Sequence, residues 1–103
     1  MGRLGGHMFN TKTESYRPAL FGSSYKFQMK KMSDGSIRIY ILRQPSYNGR
    51  ATDGHNTHRL NDGTNYICIL SGREPTSFED ARSWYRMWTK GTEYYIKHGK
   101  WNV

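Results

Sequence analysis

Hydrophobic and polar residues alternate most clearly between positions 25 and 41. Two alternating runs flank an Asp34-Gly35 dipeptide, which tolerates the positive φ of a tight turn. A period of two predicts a β-hairpin with its odd-numbered side chains in the core. The residues predicted to face inward are Tyr25, Phe27, Met29, Ile37, Ile39 and Ile41. The even-numbered residues predicted to share the outer face include Lys26, Lys30, Arg38 and Tyr40.

A second hairpin is predicted where residues 57–60 and 66–70 flank the turn sequence Asn-Asp-Gly-Thr-Asn. Ile67 and Ile69 would face the core. Residues 44–57 are rich in Gly, Asn and Thr, which predicts a long mobile loop. Residues 9–24 show no sustained period, which predicts an irregular N-terminal arm.

A helical period replaces the alternation in the last third of the chain. Apolar and small side chains recur there every three or four residues, at Phe78, Ala81, Tyr85, Trp88, Thr92 and Tyr95. Thr76 and Glu79 have the spacing of a capping box, which predicts a helix over residues 77–98. Gly91 lies inside that helix as the one position for a kink, although the apolar stripe runs through it without a change of phase.

Two hairpins followed by one helix predict an α+β fold. The expected architecture is an antiparallel sheet of three to four strands, one face covered by the long C-terminal helix and the other open. The length of 103 residues suits one domain, which we assign to residues 25–103. Residues 1–8 read MGRLGGHM, a Gly-rich stretch typical of a cloning or tag remnant.

The charge distribution favours an anionic partner. The chain has 16 Lys and Arg against 8 Asp and Glu, a formal net charge of +8. Nine of the basic residues fall in positions 1–50, with Glu14 and Asp34 as the acidic residues of that half. A polyanion would therefore be attracted mainly to the first half of the chain.

The predicted site is a nucleic-acid-binding surface formed by the open sheet face and the adjoining loop. Cations that contact phosphates beside rings that stack on bases or form hydrogen bonds are typical of such surfaces. The phosphate-binding candidates are Lys26, Lys30, Arg38 and Arg43, the aromatic candidates are Tyr40 and Tyr66, and the loop candidates are Arg50 and Arg59. Four phosphate contacts predict a slope of about −3.6 for log affinity against log salt.

The order of strands and helix, with Thr76-Ser77-Phe78-Glu79-Asp80-Ala81 at the helix start, is similar to sheet-plus-helix DNA-binding domains of the AP2 and integrase-arm type. The resemblance covers the helix start and the order of elements. It implies that the strands, rather than the helix, would contact the DNA major groove.

The sequence leaves two alternative functions open. A small protein-interaction module, such as an adaptor or an inhibitor of a nucleic-acid enzyme, would use Trp84, Trp101 and the 44–57 loop against an acidic partner. A metal-dependent enzyme would use His55 and His58, although zinc requires about four ligands and no second ligand pair at metal spacing accompanies these two.

Enzymatic chemistry has little other support in the sequence. Cys68 lies between two isoleucines, which predicts a buried thiol that behaves as a small hydrophobe. No phosphate-binding glycine motif occurs, so we predict no cofactor and no catalytic residues. A lone cysteine and the lack of a long apolar run predict a cytoplasmic protein that does not enter the membrane.

Overall fold

The computed structural model describes residues 10–18 and 22–101, and within them it confirms the predicted α+β fold. An open five-stranded antiparallel sheet with the order β1-β2-β3-β5-β4 packs one face against the long C-terminal helix. The elements are β1 (Thr11–Tyr16), β2 (Tyr25–Lys31), β3 (Ile37–Arg43), α1 (Gly54–Thr57), β4 (Arg59–Asn61), β5 (Asn65–Ile67) and α2 (Phe78–His98). No helix in these two described ranges is long and apolar enough to cross a membrane. The predicted tag remnant at 1–8 lies outside the described residues.

The β2–β3 hairpin has the predicted faces. Its turn is closed by Asp34, whose Oδ1 accepts hydrogen bonds from the backbone N–H and the hydroxyl of Ser36, and Gly35 has a φ of 89°. The six side chains predicted to face inward are buried, and they form the hydrophobic core together with Ile67, Ala81, Tyr85 and Trp88. The Phe27 ring stacks on the Tyr85 ring at a centroid distance of 4.5 Å.

The prediction of an irregular arm at 9–24 is wrong for residues Thr11–Tyr16, which form the edge strand β1. The sequence TKTESY lacks apolar alternation because its helix-side contacts are mostly polar. Glu14 accepts three hydrogen bonds from Nε and Nη2 of Arg82 at 2.6 to 2.9 Å and one from the Tyr85 hydroxyl at 2.8 Å. We call Glu14, Arg82 and Tyr85 the inner triad.

Helix α2 begins one residue later than predicted. Ser77, rather than Thr76, is the N-cap, and its hydroxyl accepts a hydrogen bond from the Asp80 N–H at 3.1 Å. The helix ends at His98, and its C-cap is Gly99, which has a φ of 79°. Most of the predicted apolar stripe is buried against the sheet, and Phe78 is half-buried.

Gly91 does not divide the helix, which is continuous from Phe78 to His98. The Trp101 ring covers this position so closely that a Cβ at residue 91 would lie 1.8 Å from Trp101 Cζ3. Glycine is therefore required here by side-chain packing, despite its cost of about 1 kcal/mol in a helix interior.

The segment predicted as a long loop contains α1 and is attached to the end of α2. The Arg50 guanidinium donates to the carbonyl oxygens of Ile96 and Lys97 at 3.2 and 3.0 Å. The Tyr95 hydroxyl donates to the carbonyl of Ala51 at 2.7 Å. The two Arg50 contacts satisfy backbone acceptors that the last turn of a helix leaves without partners.

The second hairpin is shorter than predicted. Thr57 belongs to α1, β4 begins at Arg59, and β5 ends at Ile67. Cys68 therefore lies beyond the strand and is exposed, which corrects the expectation of a buried thiol. Ile69 still packs against the core.

Candidate nucleic-acid interface

The face of the sheet opposite α2, which we call the outer face, carries polar residues in rows across the strands. Lys30 is opposite Arg38, and Gln28 is opposite Tyr40. Tyr66 on β5 is opposite Tyr40 on its other side. Directly opposed residues in an antiparallel pair share a face, so these side chains form one continuous surface.

An irregularity in the β2–β3 register adds Arg43 to this surface. Phe27 is opposite Ile41, but the preceding residue, Lys26, is opposite Arg43, so Leu42 is an additional residue in β3. Such a bulge shifts the residues beyond it by one position. Arg43, which strict alternation would place on the inner face, therefore lies beside Lys26 on the outer face.

Three cations of the outer face have no acidic partner in the part of the chain that the structure describes. No Asp or Glu oxygen lies within 4.0 Å of the charged groups of Lys26, Lys30 or Arg43. Lys30 and Arg43 are exposed, and Lys26 is half-buried. Their positive charges are thus available to an anion from solution.

Arg38 differs from these three cations because it is paired with a carboxylate. Its Nη1 donates to Asp62 Oδ2 at 2.8 Å, and the Tyr40 hydroxyl donates to the same oxygen at 2.7 Å. Asp62 lies in the β4–β5 turn and reaches back over the outer face to both partners. We call Asp62, Arg38 and Tyr40 the outer triad.

The Tyr66 ring contacts two members of the outer triad, Arg38 and Tyr40. The guanidinium carbon of Arg38 lies 4.2 Å from the centroid of the Tyr66 ring, within cation–π range. The Tyr40 and Tyr66 rings meet edge to face at 5.7 Å. Part of the Tyr66 ring surface is therefore occupied by Arg38, which leaves less of it for stacking on a base.

The pKa shifts in the outer triad favour a fixed charge pair. Hydrogen bonds from Tyr40 and then Arg38 lower the pKa of Asp62 below its usual value. Burial, followed by the hydrogen bond to Asp62, raises the pKa of the Tyr40 hydroxyl. At neutral pH the outer triad therefore combines a carboxylate, a guanidinium and a protonated phenol.

The two predicted loop arginines are not directed to the outer face. Arg50 donates to the C-terminal carbonyls of α2, as described above. Arg59 donates to Thr57 Oγ1, Gln44 Oε1 and the Thr52 carbonyl at 2.8 to 3.1 Å, so its guanidinium holds the 44–57 segment together. Both side chains have structural partners, and the candidate interface is the sheet face without the loop.

The two tryptophans predicted as interface residues occupy one groove on the helix side of the molecule. Its volume is about 510 Å³, and its lining includes Trp84, Met87, Trp101, Cys68 and Lys90. The Trp101 indole N–H donates to the Asn56 carbonyl at 2.8 Å. Trp101 therefore has a packing role, whereas Met87 is 58% exposed.

The two histidines predicted for a metal enzyme are not joined by further ligands. In the described ranges, no group of three or more His, Cys, Asp or Glu side chains is arranged to hold a metal ion. The His58 ring instead lies 4.2 Å from the Trp101 ring, and burial lowers its pKa. His55 is an exposed residue of α1.

Asp62 is the residue of this surface that the sequence analysis missed as a partner of Arg38. The Asn61-Asp62-Gly63 sequence indicates a turn, and a turn residue is not assigned to a sheet face by its sequence. Its position over Arg38 depends on β5 pairing with β3, two strands that are not consecutive in the chain. No protein-family model, curated protein or solved structure matches this chain.

Proposed function

We propose that this protein binds nucleic acid through the outer face of its sheet. The observation that carries the proposal is the grouping of Lys26, Lys30 and Arg43 on one face that no described element covers, without acidic partners among the described residues. Clustered cations on one surface create a local positive potential that attracts a polyanion. The phosphate backbone of nucleic acid is the polyanion that such a surface suits.

The spacing of these cations supports a duplex as the ligand. Lys26 and Lys30 are four residues apart on β2, which corresponds to about 13 Å along a strand. The major groove of B-DNA is about 12 Å wide. The two ends of the outer face are therefore separated by about the width of this groove.

The test is a comparison of two triple variants that lose the same charge. Lys26→Ala, Lys30→Ala and Arg43→Ala together remove the outer-face cations, and Arg86→Ala, Lys90→Ala and Lys97→Ala together remove three exposed cations of α2. Binding to a fluorescent DNA duplex is measured by anisotropy at salt concentrations between about 50 and 200 mM.

Wild-type protein should give a slope of about −2.7 for log affinity against log salt, because Arg38 is already paired and three contacts remain. This slope corresponds to an affinity loss of about 40-fold across that salt range. The outer-face variant should lose both affinity and slope, and the helix variant should keep most of both. Equal losses in the two variants, or no binding by the wild type at the lowest salt, would refute the proposal.

A second candidate function is binding of an apolar segment from an acidic protein partner in the groove beside α2. The groove combines exposed Met87 with Trp84, and Lys90 lies in its lining. The formal net charge of +8 favours an acidic partner. Peptide display should then enrich acidic peptides with large apolar residues, and Met87→Glu should abolish their capture while the outer-face triple variant retains it.

A further inference from the structure

We infer that Arg38 recognises the edge of a guanine base in the major groove of duplex DNA, with Asp62 and Tyr66 as its positioning residues. The inference rests on the proposed function and assigns a sequence preference to the same surface. It gives Arg38 a different role from Lys26, Lys30 and Arg43, which would contact phosphates.

The geometry of the Arg38 side chain suits a base edge. Its guanidinium lies over the Tyr66 ring at 4.2 Å, which restricts the plane of the group, and Nη1 is held by Asp62 at 2.8 Å. A guanidinium has five N–H donors in one plane, so donors remain for a second, bidentate partner. An arginine that is fixed in this way loses less conformational entropy when it binds than a mobile lysine does.

The charge beside Arg38 decides between a base and a phosphate. The Asp62 carboxylate already neutralises Arg38 and would repel a phosphate placed next to it. The guanine edge is uncharged and presents two acceptors, O6 and N7, with the spacing that a guanidinium fork matches. Cations without a carboxylate suit phosphates, whereas a cation held by a carboxylate suits a neutral acceptor pair.

The same surface favours B-form DNA over RNA. Side chains reach base edges in the wide major groove of B-DNA, whereas the major groove of an RNA helix is too deep and narrow for them. Recognition of single strands relies on exposed aromatic faces. On the outer face, the Tyr66 ring is partly covered by Arg38, and Tyr40 packs edge to face against Tyr66.

The experiment begins with selection of binding sites from a random pool of DNA duplexes by the wild-type protein. Affinities are then measured for the selected duplex and for the same duplex with each guanine replaced in turn by 7-deazaguanine, which lacks the N7 acceptor and still pairs with cytosine. The wild type should lose about tenfold or more in affinity at one guanine, the range of a good bidentate contact.

Variants of Arg38 and Asp62 then test whether this loss of affinity depends on the outer triad. Arg38→Ala and Arg38→Lys should bind the natural and the 7-deazaguanine duplexes equally, with the salt slope unchanged. Asp62→Asn should retain or increase affinity for unselected DNA, because it removes a negative charge, while its discrimination at the guanine falls. Lys31→Ala is the control: it removes an exposed positive charge at the end of β2 without touching the triad, and its discrimination should equal that of the wild type.

The outcomes distinguish the recognition of guanine by Arg38 from the proposed binding of nucleic acid by the outer face. Selection that enriches no guanine, in a protein that binds duplex DNA with the expected salt slope, overturns the role of Arg38 and leaves the proposed function standing. Unchanged discrimination in Asp62→Asn overturns the positioning role of Asp62. No binding to any duplex overturns both proposals.

Discussion

The inner and outer triads use the same three chemical groups on opposite faces of one sheet. In each, a carboxylate accepts hydrogen bonds from one arginine and one tyrosine. The inner triad joins residues 68 and 71 positions apart, and it fastens the edge strand β1 to α2. The outer triad joins residues that are 24 and 22 positions apart, and its hydrogen bonds connect the β4–β5 turn to β3.

The two triads share their chemistry and differ in their surroundings. The inner triad lies between β1 and the helix that it joins, with Tyr85 buried, so its hydrogen bonds serve the fold. No described element covers the outer triad, so donors of its arginine stay accessible from solution. Under the proposed function, the rigidity of the outer triad would reduce the entropy cost of association.

The largest expected effect is a difference in the free energy of unfolding between a core variant beside the inner triad and a variant of the outer face. Phe27→Ala removes a fully buried ring that stacks on Tyr85, a member of the inner triad, and should cost about 3–5 kcal/mol in the free energy of unfolding. The neighbouring outer-face change Gln28→Ala should stay within about 0.5 kcal/mol. Urea denaturation measures both, and similar costs at the two positions would contradict the assignment of faces.

The second expected effect is a difference between the two triads in their contribution to thermal stability. Glu14→Gln should lower the midpoint of thermal unfolding by a few degrees, because Arg82 loses its charged partner between β1 and α2. Asp62→Asn should change the midpoint by about 1 °C or less, since it lies in an exposed turn. Differential scanning fluorimetry gives both values, and a larger loss for Asp62→Asn would reverse the assigned roles.

The smallest effect is the dependence of stability on pH. The hydrogen bonds from Arg82 lower the pKa of Glu14 below its usual value of about 4.3. A lowered pKa contributes stability above that usual value, and the contribution is lost as the pH falls through the lowered pKa. The stability difference between wild type and Glu14→Gln should therefore be full near pH 6 and should shrink below pH 4. A difference that is constant over this range would exclude a charged role for Glu14.

Much of the fold follows from local patterns. The alternation around Asp34-Gly35 predicted the β2–β3 hairpin and its faces, and the apolar stripe predicted α2 to within one residue at its start. Strand β1 was missed because charged Lys12 and Glu14 face the helix beside Tyr16, so its inward side chains produce no hydrophobic period. The helix was predicted to run through Gly91, but the packing reason for glycine at that position was missed because the ring that requires it comes from residue 101.

The candidate site was predicted only in part. The sequence indicated Lys26, Lys30 and Arg38, because their face follows from the period of two, whereas Arg43 lies on that face only because of the β2–β3 bulge. It also indicated Arg50 and Arg59 as loop contacts, whereas the structure gives both of them intramolecular acceptors. It gave no sign that Asp62 would hold Arg38, since that contact joins a turn to a strand 24 residues away.

The sequence by itself determined which side chains of the hairpin lie together, because alternation and helical period are local properties of the backbone. Tertiary structure alone decided which of the cations are neutralised and which stay open to an anion. The physical reason is that ion pairs and hydrogen bonds depend on distances of about 3 Å between atoms, and the pairing of β3 with β5 and the packing of α2 set those distances.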